Sequence, residues 1–156
     1  MKSIVISSFI GCVIALACAY LYLQPALTRE KTISCQSRYT LSQNNFKLDA
    51  NYGFIIGDNK GELTIYGYSI ENGVHVNIRR AIRFTYTKID NVYRLHNTRI
   101  ESIVGDESEK GNINIHLPAF FNHEGEVLTM QITHDKFNVP VFFVHNMPMF
   151  YCKKTG

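Results

Sequence analysis

An uncharged run of twenty residues, Ile4–Leu23, constrains what this chain can fold into more than any other feature. At about 1.5 Å of rise per residue, a helix of this length crosses the roughly 30 Å hydrocarbon core of a bilayer. Tyr20 and Tyr22 lie near the far end of the run, where interfacial aromatic residues are favoured. The run therefore predicts a single transmembrane anchor at residues 4–23, preceded by a short cytoplasmic tip at residues 1–3.

Two processing alternatives remain open for this segment. Ala15-Leu16-Ala17 has the small residues of a signal-peptidase site, and Cys18 directly after it gives the sequence the form of a degenerate lipoprotein box. The apolar run nevertheless continues to Leu23, whereas polar chain normally follows a cleavage site. We therefore expect an uncleaved anchor, with cleavage or lipidation at Cys18 as the alternatives. All three deliver the rest of the chain to the same side of the membrane.

The cysteines divide into two pairs. Cys12 and Cys18 lie inside the apolar run, six positions or about 240° apart on a helix, so they do not share a face. Cys35 and Cys152 bracket the rest of the chain, and a bond between them would stabilise the fold by roughly 4–5 kcal/mol through loop closure. We predict this disulfide and hence an oxidising compartment, with two free thiols in the cytosol as the alternative.

After a predicted linker at residues 24–34, residues 35–156 have the pattern of one β-rich domain. The chain is 46% hydrophobic and 12% aromatic, which excludes a disordered chain of low hydrophobicity and high charge. Apolar and polar side chains alternate from Phe46 to Ile56, and residues 57–61 supply a turn. Asn72-Gly73 is the strongest turn signal, because both central positions of a type I′ turn need positive φ.

A long strand at 74–87 and a partner strand at 92–103 complete a predicted meander. Arg80 interrupts the apolar face of the first of these strands, and we interpret it as a β-bulge in preference to an inward-pointing charge. Residues 112–122 have helix-like apolar spacing that Pro118 interrupts, which predicts one short, broken helix.

Further strands are predicted at 127–133 and 139–145, and a last short strand carries Cys152. The predicted fold class is α+β, mainly β, an antiparallel meander or partial barrel of seven to nine strands with one short helix. A barrel of this kind either has a filled core, which we expect, or encloses an apolar cavity. The candidate wall residues of such a cavity are aromatic: Phe54, Phe84, Tyr86, Phe142 and Phe143.

No motif of catalysis, phosphate binding or metal binding is recognisable in the sequence. None of the six histidines is paired with a Cys, Asp or Glu at ligand spacing. We therefore predict no enzyme, no cofactor and no metal site. Imidazoles titrate between about pH 5 and pH 8, so four histidines are candidates for proton sensing, although we expect ordinary exposed histidines. The four are His75, His96, His134 and His145.

The formal net charge of +3 is spread along the chain and does not indicate nucleic-acid binding. The densest basic group lies on the strand at 74–87, next to two aromatic residues, and is a candidate surface for an acidic ligand or partner. A solvated strand face is the interpretation that we favour, with the ligand or partner surface as the alternative. The residues of this candidate surface are Arg79, Arg80, Arg83, Phe84 and Tyr86.

Short motifs spread over nearly the whole chain resemble those of a known family. In addition to the N-terminal anchor and Cys35, they are Gly61-Glu-Leu-Thr-Ile-Tyr-Gly67, the Arg79-Arg80 strand that leads to Phe84-Thr-Tyr86, Asp106 before the predicted helix, and Pro148-Met-Phe-Tyr-Cys152. With these motifs the chain resembles the FidL-like family of enterobacterial inner-membrane proteins. It is also similar to the MyfF/PsaF accessory proteins of Yersinia fimbrial regulation.

The resemblance implies a single-pass inner-membrane protein with its N-terminus in the cytoplasm and its C-terminal domain in the periplasm. It implies a heterodimer with a ToxR-like membrane-bound regulator, which this chain would stabilise or tune in virulence or fimbrial gene control. DNA binding would belong to the winged helix of that regulator, not to this chain. By analogy with ToxS-like proteins, the pair would complete a lipocalin-like barrel for a small amphipathic ligand. The alternatives are a sensor of such a ligand or of acid pH, and a fimbrial assembly chaperone.

Overall fold

The computed structural model describes residues 12–20 and residues 32–154. Residues 12–20 are helical, and the rest of the predicted anchor, the tip at 1–3 and most of the linker lie outside the described residues. No helix within the described ranges is long and apolar enough to span a bilayer. The β-rich part forms its own compact unit from Thr32 onward.

This unit is a mainly β, antiparallel, nearly closed barrel of eight strands with a short ninth strand. The strands are β1 Ile33–Gln43, β2 Phe46–Gly57, β3 Lys60–Glu71, β4 Val74–Ile89, β5 Val92–Ser102, β6 Val127–His134, β7 Pro140–Val144, β8 Met147–Tyr151 and β9 Lys153–Lys154. Each of the first eight pairs with its neighbours in sequence, and β9 pairs with β1. The predicted meander and partial barrel are therefore confirmed, and β1 begins inside the predicted linker.

Short turns hold this meander in register. Asn72 and Gly73 both have positive φ, at 50° and 83°, as the type I′ prediction requires. Asp58 and Asn59 also have positive φ, at 52° and 61°, and join β2 directly to β3. The inward residues of β2 from Phe46 to Ile56 are all at most 3% exposed, so the period-two pattern is an accurate guide to the core face.

Residues 103–126, here called the plug segment, connect β5 to β6 and cover one end of the barrel. Their helical turns are the 3₁₀ turn Ser108–Lys110, the α-helical turn α1 Ile113–His116 and the 3₁₀ turn Ala119–Phe121. Pro118 has an extended ψ of 146° between the last two turns, so the predicted broken helix is split where the proline lies. The buried apolar side chains of the segment belong to the same core as the strands, and they are Ile113, Leu117, Phe120 and Phe121.

Aromatic side chains fill the barrel. The rings of Phe54 and Phe142 lie 4.7 Å apart between centroids, and Phe150 lies 5.0 Å from Phe54. Of the five candidate wall residues, Phe54, Phe84, Tyr86 and Phe142 are buried, whereas Phe143 is only half-buried beyond a register shift in β7. Edge-to-face contacts of this kind are typical of a packed core.

The interpretation of Arg80 as a β-bulge is wrong, because Arg80 points inward and is 7% exposed. The register shift of β4 lies between Arg83 and Phe84, where Thr98 of β5 is the extra residue. The hydroxyl of Thr98 donates a hydrogen bond of 3.0 Å to the carbonyl of Arg83. Arg80 is accommodated inside because the plug segment supplies hydrogen-bond acceptors there, including the carbonyl of Phe121.

Cys35 and Cys152 form the predicted disulfide, with 5.3 Å between their Cα atoms. Both are buried, at 2% and 0% exposure. Cys152 lies between β8 and β9, so the bond fastens the end of the domain to the beginning of β1. The disulfide predicted from the positions of the cysteines is therefore present.

Candidate functional site

The barrel has one place, here called the seam, where two neighbouring strands are not joined by a backbone ladder. The seam lies between β8 and the Ser37–Gln43 part of β1. In the described sheet, β8 is the terminal strand on one side, and β9 accompanies β1 only at Cys35 and Gln36. From Ser37 onward, β2 is therefore the only strand paired with β1 in this part of the chain.

One end of the seam is closed covalently. Cys35 is bonded to Cys152 and is also the ladder partner of Lys154. The main-chain N–H of Cys152 donates to the carbonyl of Pro140 at 3.0 Å, which continues the pairing with β7 beyond the end of β8. The seam is therefore fixed at the end where β1 begins and is without a ladder toward Gln43.

Side chains close the interior of the seam. The ring of Tyr39 on β1 lies 5.6 Å from that of Phe150 on β8, between centroids, and 5.8 Å from that of Tyr52. Burial raises the pKa of the Tyr39 hydroxyl above its usual value. The contact between the two strands is therefore made by aromatic rings, and backbone hydrogen-bonding groups remain along the edges.

A groove with a volume of about 350 Å³ follows the outside of the seam. Ser37 and Arg38 line it from β1, and Pro148 to Tyr151 line it from β8. Pro148 has no N–H, and Tyr151 donates from its hydroxyl to Asp135. These features make β8 a protected edge, because proline and short length are two ways in which proteins discourage strand addition.

The edge of β1 has no comparable protection. Its only charged residue from Ser37 to Gln43 is Arg38, which forms a bidentate pair with Asp49 on β2 at 2.9 and 2.7 Å. This pair raises the pKa of Arg38, lowers that of Asp49, and holds the guanidinium against β2. The other outward residues, Thr40 and Ser42, are small, uncharged and exposed. Seven residues without Lys, Pro or a bulge are a template for another strand wherever β8 does not already lie beside them, since β1 and β8 contact each other across the seam.

Two buried polar side chains hold the plug segment in the barrel. Arg80 of β4 donates from Nη1 to the carbonyl of Phe121 at 3.0 Å and to Oδ1 of Asn122 at 3.1 Å. Asn97 of β5 donates from Nδ2 to the carbonyl of Phe120 at 2.7 Å. Desolvation lowers the pKa of Arg80, which therefore lies in a weakly polar environment.

Four buried polar atoms have no hydrogen-bond partner among the described residues, namely Nε2 of His116 on the plug segment and three atoms on the strands of the barrel. The three strand atoms are Oη of Tyr52, Nε of Arg80 and Oδ1 of Asn97. Tyr52 and Arg80 lie in one row across the sheet, because each is the ladder partner of Ile65 on β3. Burial raises the pKa of Tyr52 well above its usual value, so this hydroxyl remains a neutral donor.

The candidate basic surface on β4 is divided between the two faces of the barrel wall. Arg80, Phe84 and Tyr86 are buried inside, whereas Arg79 and Arg83 are exposed outside. Arg83 lies 3.6 Å from Glu62 and 3.3 Å from Glu101. The sequence cluster is therefore not one continuous surface, because alternation along a strand separates neighbouring residues.

The candidate pH-sensing histidines are all exposed and do not form a cluster. His75 stacks on Tyr68 with 4.9 Å between ring centroids, and His96 is on the outer face of β5. His134 ends β6, and His145 lies in the β7–β8 turn with a φ of 50°. Over the ranges that the structure describes, no group of three or more His, Cys, Asp or Glu residues is arranged to hold a metal ion.

The edge of β1 was not found by sequence reasoning. Its inward residues Cys35, Ser37, Tyr39 and Leu41 alternate with polar residues, but only two of these four are large and apolar. An alternating run in which only half of the inward residues are large and apolar is a weak signal for a strand. The run also follows a segment that we interpret as a linker. The alternation of inward residues with polar residues, which continues up to Gln43, was the signal that could have indicated this strand.

A family model described as the YqeJ C-terminal domain matches residues 32–152. The matched range contains eight of the nine strands, the plug segment and both bonded cysteines. Neither the curated proteins nor the solved structures contain a match to this chain.

Proposed function

We propose that this chain, which belongs to the YqeJ C-terminal domain family, is a membrane-anchored accessory protein that pairs with a membrane-bound transcription regulator. Residues 4–23 would anchor it in the inner membrane, and the barrel would lie in the periplasm. The regulator would be of the ToxR type, with a cytoplasmic winged helix that binds DNA. This finer assignment extends the sequence resemblance to the FidL-like and MyfF/PsaF proteins.

The observation that supports pairing is the unprotected edge of β1 beside the seam. A partner strand added to Ser37–Gln43 would satisfy backbone groups that have no ladder partner among the described strands. The exposed positions Thr40 and Ser42 would then face side chains of the added strand. Anchoring both proteins in one membrane would raise their effective concentration, so a modest contact area would suffice.

The test is site-specific photocrosslinking of the full chain in cells that also produce a ToxR-like regulator. A photoreactive amino acid at Thr40 should capture the regulator. The matched control is Thr85, which is equally an exposed threonine but lies on β4, in the middle of the sheet. Capture of the regulator from Thr40 and not from Thr85 would support the proposal.

The same experiment distinguishes the other functions. Capture of a pilin subunit from Thr40, with no capture of the regulator, would replace the proposal with a fimbrial assembly chaperone. Equal capture of the regulator from both positions would refute the role of the seam. As a second measurement, Thr40→Lys should weaken co-purification of the regulator, because a lysine on a strand edge opposes pairing, while Thr85→Lys should not.

A second candidate function is a sensor that binds a small amphipathic ligand in the barrel, which would require the aromatic side chains that fill the barrel to move. The unpartnered atoms of Tyr52, Arg80 and Asn97 favour it, because buried polar groups normally have partners. An anionic head group near Arg80 would supply one. The test is a thermal shift of the full chain with dodecanoate, which should be larger than that of an Arg80→Leu variant. Equal shifts for the two proteins would exclude binding at Arg80.

A further inference from the structure

The end of the barrel where β1 begins, here called the basal end, carries exposed apolar residues at its turns. Because the strands alternate in direction, the β2–β3, β4–β5 and β6–β7 turns all lie at this end. Ile89, the last residue of β4 before the second of these turns, is 76% exposed, and Phe137 in the third turn is 72% exposed. Large apolar side chains at the tips of two neighbouring turns are available to an apolar phase outside the protein.

One lysine and one aspartate lie within two positions of each apolar tip: Asp90 follows Ile89, and Asp135 lies two positions before Phe137. Lys88 precedes Ile89 and Lys136 precedes Phe137, while Lys60 begins β3 at the same end. The ammonium group of Lys136 lies 5.0 Å from the centroid of the Phe137 ring. A lysine next to an exposed apolar side chain can contact the phosphates of an anionic bilayer while the apolar group enters its interface.

The opposite end of the barrel is acidic, whereas Lys60, Lys88 and Lys136 at the basal turns are balanced by Asp58, Asp90 and Asp135. The plug segment, residues 103–126, contains five acidic residues and one lysine. Exposed apolar residues occur there too, since Ile115 is 76% exposed and Val104 is 91% exposed. They lie in an acidic segment, which an anionic lipid surface would repel. Charge therefore distinguishes the two ends, although both expose apolar residues.

The length of the connecting chain fits contact at the basal end. Only eight residues, 24–31, separate the apolar run from Thr32. Fully extended, eight residues span at most about 3.6 Å each, or roughly 30 Å in total. Since β1 begins at the basal end, a membrane anchor would keep that end within reach of the lipid head groups.

We propose that the basal end docks on the anionic lipid surface by inserting Ile89 and Phe137, with lysines contacting the head groups. The proposal rests on the membrane anchor of the proposed function. It adds an orientation, in which the strands stand on the membrane and the plug segment faces away. The β1 edge would then run away from the membrane, accessible from the side to a partner anchored in the same bilayer.

The test uses tryptophan fluorescence, because the chain contains no tryptophan. Ile89→Trp and Ile115→Trp place a single indole at the basal end and in the plug segment, at positions with the same 76% exposure. Each full-length variant is reconstituted in vesicles of phosphatidylethanolamine and phosphatidylglycerol with brominated acyl chains. The indole at 89 should emit at shorter wavelength and be quenched several-fold more strongly than the indole at 115. Equal quenching of the two indoles, or no quenching of either, would overturn the proposal.

A charge variant tests the role of the lysines. Adding Lys88→Glu and Lys136→Glu to the Ile89→Trp protein should reduce its quenching, while circular dichroism verifies that the barrel remains folded. Unchanged quenching in the folded charge variant would refute the lysine contacts. No regulator is present in these vesicles, so the result is independent of the photocrosslinking at Thr40. Each proposal therefore stands or fails on its own measurement.

Discussion

The guanidinium of Arg80 and the main-chain carbonyl of Phe121 form a hydrogen bond of 3.0 Å inside the barrel. This bond joins the longest strand, β4, to the plug segment. Phe121 in turn makes an edge-to-face contact with Tyr52 at 6.2 Å between ring centroids. Burial of a charged side chain costs free energy. Arg80 is nevertheless buried here, where its hydrogen bond holds the plug segment, which has no strand ladder to hold it in place.

Arg80→Leu should lower the free energy of unfolding by roughly 1–3 kcal/mol, because the Phe121 carbonyl would remain buried without this donor. The loss should be concentrated in the plug segment. Hydrogen exchange of the Phe121 and Asn122 amides, which donate to Pro118 and Ala119, should accelerate. Urea unfolding and exchange measured by NMR check the two effects.

The matched control is Arg83→Leu, which removes an arginine from the same strand. Arg83 is exposed and pairs with Glu62 and Glu101 on the outside of the barrel. An exposed pair is worth at most about 1 kcal/mol, so this variant should unfold close to the wild type. Equal destabilisation by the two variants would show that the hydrogen bond from Arg80 to the plug segment stabilises the fold no more than the exposed ion pairs of Arg83.

Replacing both Cys35 and Cys152 by serine should destabilise the domain by roughly 2–5 kcal/mol, because the bond closes a loop with a sequence separation of 117 residues. The effect should also be local. Relative to the wild type, hydrogen exchange should accelerate more for the amides of β8 than for those of β3. The disulfide closes the seam beside β8, whereas β3 lies between two long ladders. Uniform acceleration in both strands would contradict the local role. Replacing Cys12 and Cys18, which are free, provides the control.

The sequence predicts the fold well where a single force determines the local structure. Full apolar alternation in β2 and the Asn72-Gly73 turn depend on burial and on backbone sterics alone. The disulfide was likewise predictable, because only two cysteines lie outside the apolar run. These features needed no knowledge of what packs against them.

The orientation of Arg80 was mispredicted and the β1 edge was not predicted, because the environment of both comes from distant parts of the chain. Arg80 is inward because Phe121, forty-one positions away, offers a carbonyl there. The β1 edge is an edge because the ladder to β8 does not form, and no local pattern in Ser37–Gln43 encodes that outcome. Tertiary partners decide both cases, so neither local propensity nor period-two alternation identifies them.

Gly67→Ala should be strongly destabilising, although alanine is tolerated in many strands. A Cβ at Gly67 would collide with the carbonyl oxygen of Asp49 and with Ala50, both on the adjacent strand β2. Backbone atoms in a continuous ladder cannot move aside without breaking it, so we expect a loss of about 1–3 kcal/mol in the free energy of unfolding. Gly53→Ala is the control, since its Cβ would meet only the side chain of Thr64. Urea denaturation should give a lower free energy of unfolding for Gly67→Ala than for Gly53→Ala. The reverse order would refute the explanation.

Asp135 should contribute stability that is lost in acid. Its carboxylate accepts a hydrogen bond from the Tyr151 hydroxyl and others of 2.9 Å from the N–H groups of Phe137 and Val139. These bonds hold the pKa of Asp135 below its ordinary value of 3.8, the Tyr151 bond contributing most. A lowered folded-state pKa means that the contribution is complete above the unfolded pKa and disappears as pH falls through the folded pKa. Wild-type and Asp135→Asn proteins should therefore differ in melting temperature at neutral pH.

That difference should shrink as the pH falls below about 4, because protonation removes the charge that the variant already lacks. Thermal unfolding from pH 7 to pH 2 measures it. Asp58→Asn, at the exposed β2–β3 turn, controls for a general change of net charge. Tyr151→Phe should reduce the effect of Asp135→Asn, because it removes the donor that lowers the pKa most. A difference between wild type and Asp135→Asn that stays constant down to pH 2 would mean that the charge of Asp135 does not stabilise the β6–β7 turn.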